Sequence, residues 1–180
     1  MTVLIFGRNG QLAKALQRSL IAQKVNFQCY GREQLDLLNY KDHLSRVINK
    51  VKPSIVINAP AYTNVVGAEK NKNSAFLLNA EAPKFMARIC KIKDIPFIHF
   101  STDYVFDGLK KGAYVETDQT NPQSVYGKTK CNGEEKVRTH GKHVILRTSW
   151  VFGVHGNNFL KTMLRFFKEK YIQVSGKSNE

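Results

Sequence analysis

The sequence predicts an α/β fold, a parallel sheet with helices on both faces in three layers. Two observations carry this reading. Short apolar runs alternate with longer amphipathic stretches along the 180 residues. The first apolar run leads directly into a glycine turn and then a helical pattern. Parallel strands need crossover connections, and helices are the usual ones.

Residues 2–6 (TVLIF) read as a buried strand, and in 11–23 Leu12, Ala15, Leu16 and Leu20 recur at helical spacing. A second strand is predicted at 26–30. Leu44, Val47 and Ile48 mark a helix over 40–50, which Pro53 ends before a third strand at 54–58 (SIVIN). A long helix is predicted over 74–93, with Pro83 a break or kink within it. The fourth strand is 96–101 (PFIHFS), followed by a polar loop over 107–123. A helix over 126–139, a fifth strand at 143–147 (HVILR), a last helix at 158–169 and a sixth strand at 171–174 complete the alternation. No repeat, low-complexity stretch or internal linker divides the chain, so residues 1–180 are expected to form one domain.

Composition narrows the function classes. A hydrophobic content of 42% and a charged content of 23% suit a globular protein with a core. No apolar run approaches the roughly 20 residues a membrane span needs. The opening MTVLIFG is too short and uncharged for a signal peptide, so a cytoplasmic location is expected. Cys29, Cys90 and Cys131 have neither metal-ligand spacing nor a disulfide framework, which fits a reducing compartment. The net charge of +14 raises the question of nucleic acid. The basic residues are spread out, from Lys70, Lys72, Lys91 and Lys93 to Lys168, Lys170 and Lys177, and no nucleic-acid motif accompanies them. They read as solvated lysines, with a share attracting an anionic nucleotide-sugar or phosphorylated cofactor. Neither nucleic acid nor a membrane is an expected partner.

The turn Gly7-Arg8-Asn9-Gly10-Gln11-Leu12-Ala13 lies between the first strand and the first helix. Glycines there allow a tight reversal and a close approach of backbone amides to a pyrophosphate, with the helix N-terminus facing its charge. Together with the alternation, this points to a Rossmann-type, doubly wound nucleotide-binding domain. After the second strand stand Gly31 and Arg32 rather than the acidic residue that would hold the ribose 2′-hydroxyl of NAD. Arg32, assisted by Arg8, suits the 2′-phosphate of NADP; the alternative is a solvated surface arginine. NADPH is the expected cofactor, with NADH the alternative.

Tyr126 and Lys130 stand four apart at a helix start, on one face. A nearby ammonium favours a phenolate, so Lys130 is expected to pull the tyrosine pKa down and to donate to ribose hydroxyls. Ser101-Thr102-Asp103 stand at the carboxyl end of the fourth strand, the edge where open α/β sheets bind ligands. A hydroxyl there can bond a reacting carbonyl beside the tyrosine.

This Tyr-x-x-x-Lys with an upstream Ser/Thr resembles the short-chain dehydrogenase/reductase superfamily. The stretches GRNGQL, LDLLN, INAPAYTNV, FIHFSTDYVFDG, YVETDQTNPQSVYGKTKCNGE and ILRTSWVFGVHGNNFLKTML resemble its dTDP-4-dehydrorhamnose reductase branch over nearly the whole chain. The resemblance implies reduction of the 4-keto group of dTDP-4-dehydro-L-rhamnose to dTDP-L-rhamnose, with Tyr126 as proton donor, Thr102 polarising the carbonyl and Lys130 holding the ribose. It also implies that Gly10, Gln11 and Leu12 line the pyrophosphate turn, Asp36 and Leu37 flank the adenine, and Ala61, Tyr62 and Thr63 pack along the cofactor. Asp103 and Trp150 would contact the sugar nucleotide, although a tryptophan after a strand is also read as a core aromatic. His99 is read as a core or near-surface histidine, Phe166 and Phe167 as packing residues. His140, His143 and His155 lack ligand partners, and the branch's metal is tied to parts outside these residues, so none is assigned.

Two departures from the branch stand out. Val66 and Gly67 replace an Asp-Lys pair, and Pro60 stands in a normally Ala-rich turn. The branch also continues for a further domain-sized piece after an Asp-Gln-Gly-Pro type motif, whereas 175–180 read SGKSNE. A truncated or split gene product is the expectation, with the substrate domain largely absent. Self-association or a completing second polypeptide follows from the edge this would expose. The competing reading is a non-catalytic nucleotide-binding or regulatory subunit, or an inactive fragment.

Overall fold

The computed structural model describes residues 1–38 and 41–169. Among these, five parallel strands form one sheet in the order β2-β1-β3-β4-β5. They are β1 (Thr2–Phe6), β2 (Asn26–Tyr30), β3 (Ile55–Asn58), β4 (Phe97–Thr102) and β5 (His143–Thr148). The chain runs outward from β1 to β2, then returns to the other side of β1 for β3, so the order reverses at β1. Crevices at such reversals lie at the carboxyl ends of the strands and take ligands. The predicted sixth strand lies outside the described residues.

Alternation along β1 sorts the core. Val3 and Ile5 face α1 (Gln11–Ala22), where they meet Ala13, Leu16 and Leu20 together with Ile57 of β3. Leu4 and Phe6 face the other layer, built by α2 (Lys41–Val51), α5 (Ala82–Ile92) and α6 (Val125–Arg138) through Leu44, Ile48, Met86, Cys90 and Val137. The expected three-layer, doubly wound arrangement is therefore present. Several bounds shift by one residue: β4 runs to Thr102 and β5 to Thr148, so the hydroxyl expected at the strand end is the last residue of β4.

The predicted long helix at 74–93 is built differently. Two short helices, α3 (Val65–Lys70) and α4 (Lys72–Phe76), precede a π-helical turn, Leu77–Glu81, which runs on into α5. Pro83 neither breaks nor ends the helix. Its ring would collide with the carbonyl four residues back, at Asn79, and it offers no N–H to that carbonyl. The wide turn absorbs both problems, with the Ala82 amide reaching back to the Leu77 carbonyl. The Asn79 carbonyl then lies against α6 at Gly133, where a Cβ would come within 2.2 Å of it. The last helix, α7 (Phe159–Glu169), begins where Asn158 Oδ1 accepts from the Lys161 amide at 3.0 Å. The expected packing role fails for Phe167, whose side chain is 79% exposed. Phe166 is half-buried, with the Arg165 guanidinium over its ring.

Candidate active site

A cavity of about 1010 Å³ opens at the carboxyl ends of β1, β3 and β4. Its floor is the turn after β1. Gly7 has φ +101, a left-handed conformation that a side chain strains against, and a Cβ there would stand 2.9 Å from the Pro60 ring. Pro60, the departure noted in the sequence, is thus accommodated by Gly7. Gly10 precedes α1 with no side-chain cap, and the first turn of α1 carries no acidic group. An uncapped helix start of this kind fits an anion such as a pyrophosphate. Gln11 also ties the site together: its amide donates to the Val151 carbonyl at 2.9 Å and accepts from Asn158 at 2.9 Å.

The same cavity is lined by Gly7, Gly10, Gln11 and Leu12, by Arg32, Asp36 and Leu37 after β2, and by Ala61, Tyr62 and Thr63 after β3. Thr102, Asp103, Tyr126, Lys130 and Trp150 close its other side. All the sequence-predicted site residues but one are therefore brought together. Arg8 is not: it lines a separate shallow pocket with Gln17, Cys29 and Gln34. Arg32 is 79% exposed and loosely paired with Asp36 at 3.6 Å. Trp150 is no core aromatic. It is 73% exposed, adopts φ +50 and stacks edge-on against Phe159 at 5.1 Å.

Tyr126 enters in the first turn of α6, whose cap Ser124 accepts from the Gly127 amide at 3.1 Å. Its ring is buried against Tyr104, edge to face at 5.5 Å. Burial pushes its phenol above the ordinary value, opposed by a hydrogen bond with Thr102. The expected lowering by Lys130 is not found. The Lys130 ammonium, 2% exposed, donates instead to the Phe100 carbonyl at 2.5 Å. Burial also brings its pKa down to about 8, against the pull of Glu134. Thr102 Oγ1 donates to Asp103 at 3.0 Å and accepts from the Tyr104 amide at 3.3 Å, which fixes its rotamer.

Three residues escaped the sequence reading. Asn79, in the π turn, accepts from the Tyr62 amide at 2.8 Å and donates to the Tyr62 carbonyl and Thr129 hydroxyl, each at 3.1 Å. It clamps the loop after β3 to α6. Asn58 bonds His99 Nδ1 at 2.9 Å beneath the site, and burial, then the Lys130 charge, hold that imidazole well below its usual pKa. Glu134 lies on α6 four residues beyond Lys130, and i+4 spacing was the only signal for it.

A family model described as RmlD substrate binding domain matches residues 1–174. The chain belongs to this family. A dTDP-4-dehydrorhamnose reductase of Aggregatibacter actinomycetemcomitans is 42% identical over 94% of the chain and 58% of that protein. Among solved structures, a dTDP-4-dehydrorhamnose reductase from Clostridium acetobutylicum superposes at a TM-score of 0.89 with 39% identity, over 94% of this chain and 60% of that one. One from Bacillus anthracis, solved in complex with NADP, gives 0.89 with 37% identity, over 93% and 60%. This RmlD-family chain thus spans somewhat more than half the length of the relatives it matches.

Proposed function

We propose that residues 1–180 form the NAD(P)-binding domain of an NADPH-dependent reductase, and that it reduces the 4-keto group of dTDP-4-dehydro-L-rhamnose to dTDP-L-rhamnose. The observation that carries this reading is the convergence of Thr102, Tyr126 and Lys130 on the cavity whose floor is the Gly7–Gly10 turn. Relatives named dTDP-4-dehydrorhamnose reductase support the substrate class, and the NADP complex of one supports the cofactor.

In this reading Gly7, Gly10, Gln11 and Leu12 hold the pyrophosphate, Asp36 and Leu37 border the adenine, and Ala61, Tyr62 and Thr63 line the cofactor's path. The reduced nicotinamide supplies a hydride when bound. A phenol is protonated at neutral pH, and burial holds Tyr126 further towards that form. It gives its phenolic proton to the carbonyl oxygen as negative charge builds there. Thr102, beside Tyr126, turns its hydroxyl from Asp103 to the carbonyl, which it polarises and orients. Lys130 turns its ammonium to the ribose hydroxyls, and Asp103 and Trp150 meet the sugar nucleotide. Arg32, held only by an exposed pair with Asp36, is free to take a 2′-phosphate. An Arg32→Ala variant is expected to bind NADPH about tenfold more weakly with NADH affinity unchanged; no loss for NADPH would remove Arg32 from the site.

The remaining sugar-nucleotide contacts would come from a counterpart of the relatives' unmatched part, in the same polypeptide or a second one. The cytoplasm suits three free thiols, and no described helix is long and apolar enough to cross a membrane. The test is NADPH oxidation with the keto sugar nucleotide. Tyr126→Phe is expected to lower turnover by about 100-fold or more with cofactor binding kept. Binding without turnover in the unaltered chain would favour a regulatory nucleotide-binding subunit, a second reading that the chain's share of its relatives' length keeps open.

A further inference from the structure

Tyr126, Lys130 and Glu134 follow one another at i+4 spacing along the buried face of α6. Glu134 is 2% exposed, and the proton transfer above makes no use of it. Its carboxylate is gripped from β5: Arg147 Nε donates to Oε1 at 2.9 Å and Nη2 to Oε2 at 2.7 Å. Arg138 adds a third bond at 3.2 Å. A paired fork of this kind fixes a carboxylate in direction as well as place. One turn back along the helix lies the Lys130 ammonium, almost wholly buried, with a backbone carbonyl as its hydrogen-bond partner.

We infer that Glu134, braced by Arg147, is a positioning residue: it fixes a negative charge one helical turn from the Lys130 ammonium, on the face that Lys130 shares with Tyr126. The inference rests on the proposed role of Lys130 at the ribose. An isolated ammonium taken out of water sheds its proton unless an opposite charge is close. Glu134 supplies that charge, and the pull it exerts on Lys130 opposes the effect of burial. Burial pushes the Glu134 carboxyl up, but Arg147, then the Ser101 hydroxyl and Arg138, outweigh this, so it stays ionised.

The other groups around Lys130 do not replace it. On α6 there is the neutral phenol of Tyr126. From β4 comes His99, kept uncharged by burial. Asp103, after β4, accepts from the Thr102 hydroxyl. Elsewhere on α6, Glu81 of the π turn pairs with Lys136, Glu69 of α3 accepts from the Val125 amide, and Lys91 of α5 donates to the Thr139 carbonyl.

The test is an NMR titration of the Lys130 side chain in the full chain carrying 13C-labelled lysine, with the signal assigned by its loss in Lys130→Arg. In Glu134→Gln the Lys130 midpoint is expected to fall by about one pH unit. In Arg147→Lys, which keeps a cation beside Glu134 and so its charge while losing the paired fork, it is expected to hold. A clamp that merely holds α6 to β5 would move both variants the same way, and that result overturns the inference. If Glu134→Gln does not fold, Glu134→Gln/Arg147→Met is compared with the unaltered chain, since removing both members of a buried pair is tolerated better than removing one. The double variant is expected about one unit lower; equal midpoints overturn the inference. NADPH titration of the unaltered chain reports separately on the proposed function, and its failure leaves the midpoint comparison standing.

Discussion

Replacing Lys130 by methionine is expected to stabilise the folded chain while disabling its site. The pKa of Lys130 falls from 10.5 to about 8 on folding, chiefly through burial. Its charged form is therefore disfavoured in the fold. The cost is complete below about pH 8 and fades as the pH rises towards the unfolded value. Lys130→Met should gain about 2 kcal/mol at pH 7, after the loss of the bond to Phe100, and the gain should shrink towards pH 10. Urea denaturation at both pH values measures this, and an unchanged or lowered midpoint at pH 7 contradicts it. By the same titration, cofactor affinity should decline as the pH rises through about 8, where the ammonium is lost. The convergence of Thr102, Tyr126 and Lys130 on one cavity was legible in the sequence because a four-residue spacing puts two of them on one helix face and the third ends a strand. Asn79 and Arg147 were not. Their roles are set by partners far along the chain, Thr129 and Glu134, and no local pattern announces such pairings.

At the scale of elements, the π turn links three residues that look unrelated in the sequence. Pro83 displaces the Asn79 carbonyl, the displaced carbonyl presses on α6, and Gly133 leaves room for it. Gly133→Ala would place a methyl group 2.2 Å from that backbone oxygen. It should cost about 2 kcal/mol or more, although alanine favours helices, because α6 or the π turn must shift. Denaturant midpoints of the variant decide this; a stabilised Gly133→Ala would show that α6 does not press on Asn79. Strands were legible as short apolar runs, and the longer helices from their spacing near 3.6. The sequence reading passed over α3, whose six residues are too few for a helical period to stand out. It left Pro83 as a break or kink because a proline announces a lost hydrogen bond without saying how the chain will absorb it.

At the scale of the molecule, part of the surface is more apolar than the composition alone suggests. Val144 and Leu146 on β5 are exposed, as are Leu160, Leu164 and Phe167 on α7. Apolar surface of this kind would suit self-association. The chain is expected to self-associate at about 50 µM in moderate salt, a weak-to-moderate association of about 6 kcal/mol. Leu164→Glu with Phe167→Glu should reduce it. Sedimentation velocity reads the outcome, and a monodisperse monomer for the unaltered chain contradicts it. The doubly wound fold was legible from the strand–helix alternation, whereas the order β2-β1-β3-β4-β5 emerged only from the pairing of the strands.

All three scales meet in the cavity above β1, where an uncapped helix start, a glycine at φ +101 and the Tyr126–Lys130 face converge. Calorimetric titration of the folded chain with NADPH tests this convergence most directly. The expected result is saturable one-to-one binding with a Kd of about 1–100 µM, equivalent to about 5–8 kcal/mol. No saturable heat up to about 1 mM NADPH, from a chain whose circular dichroism shows it folded, would contradict a dinucleotide site at the Gly7–Gly10 turn.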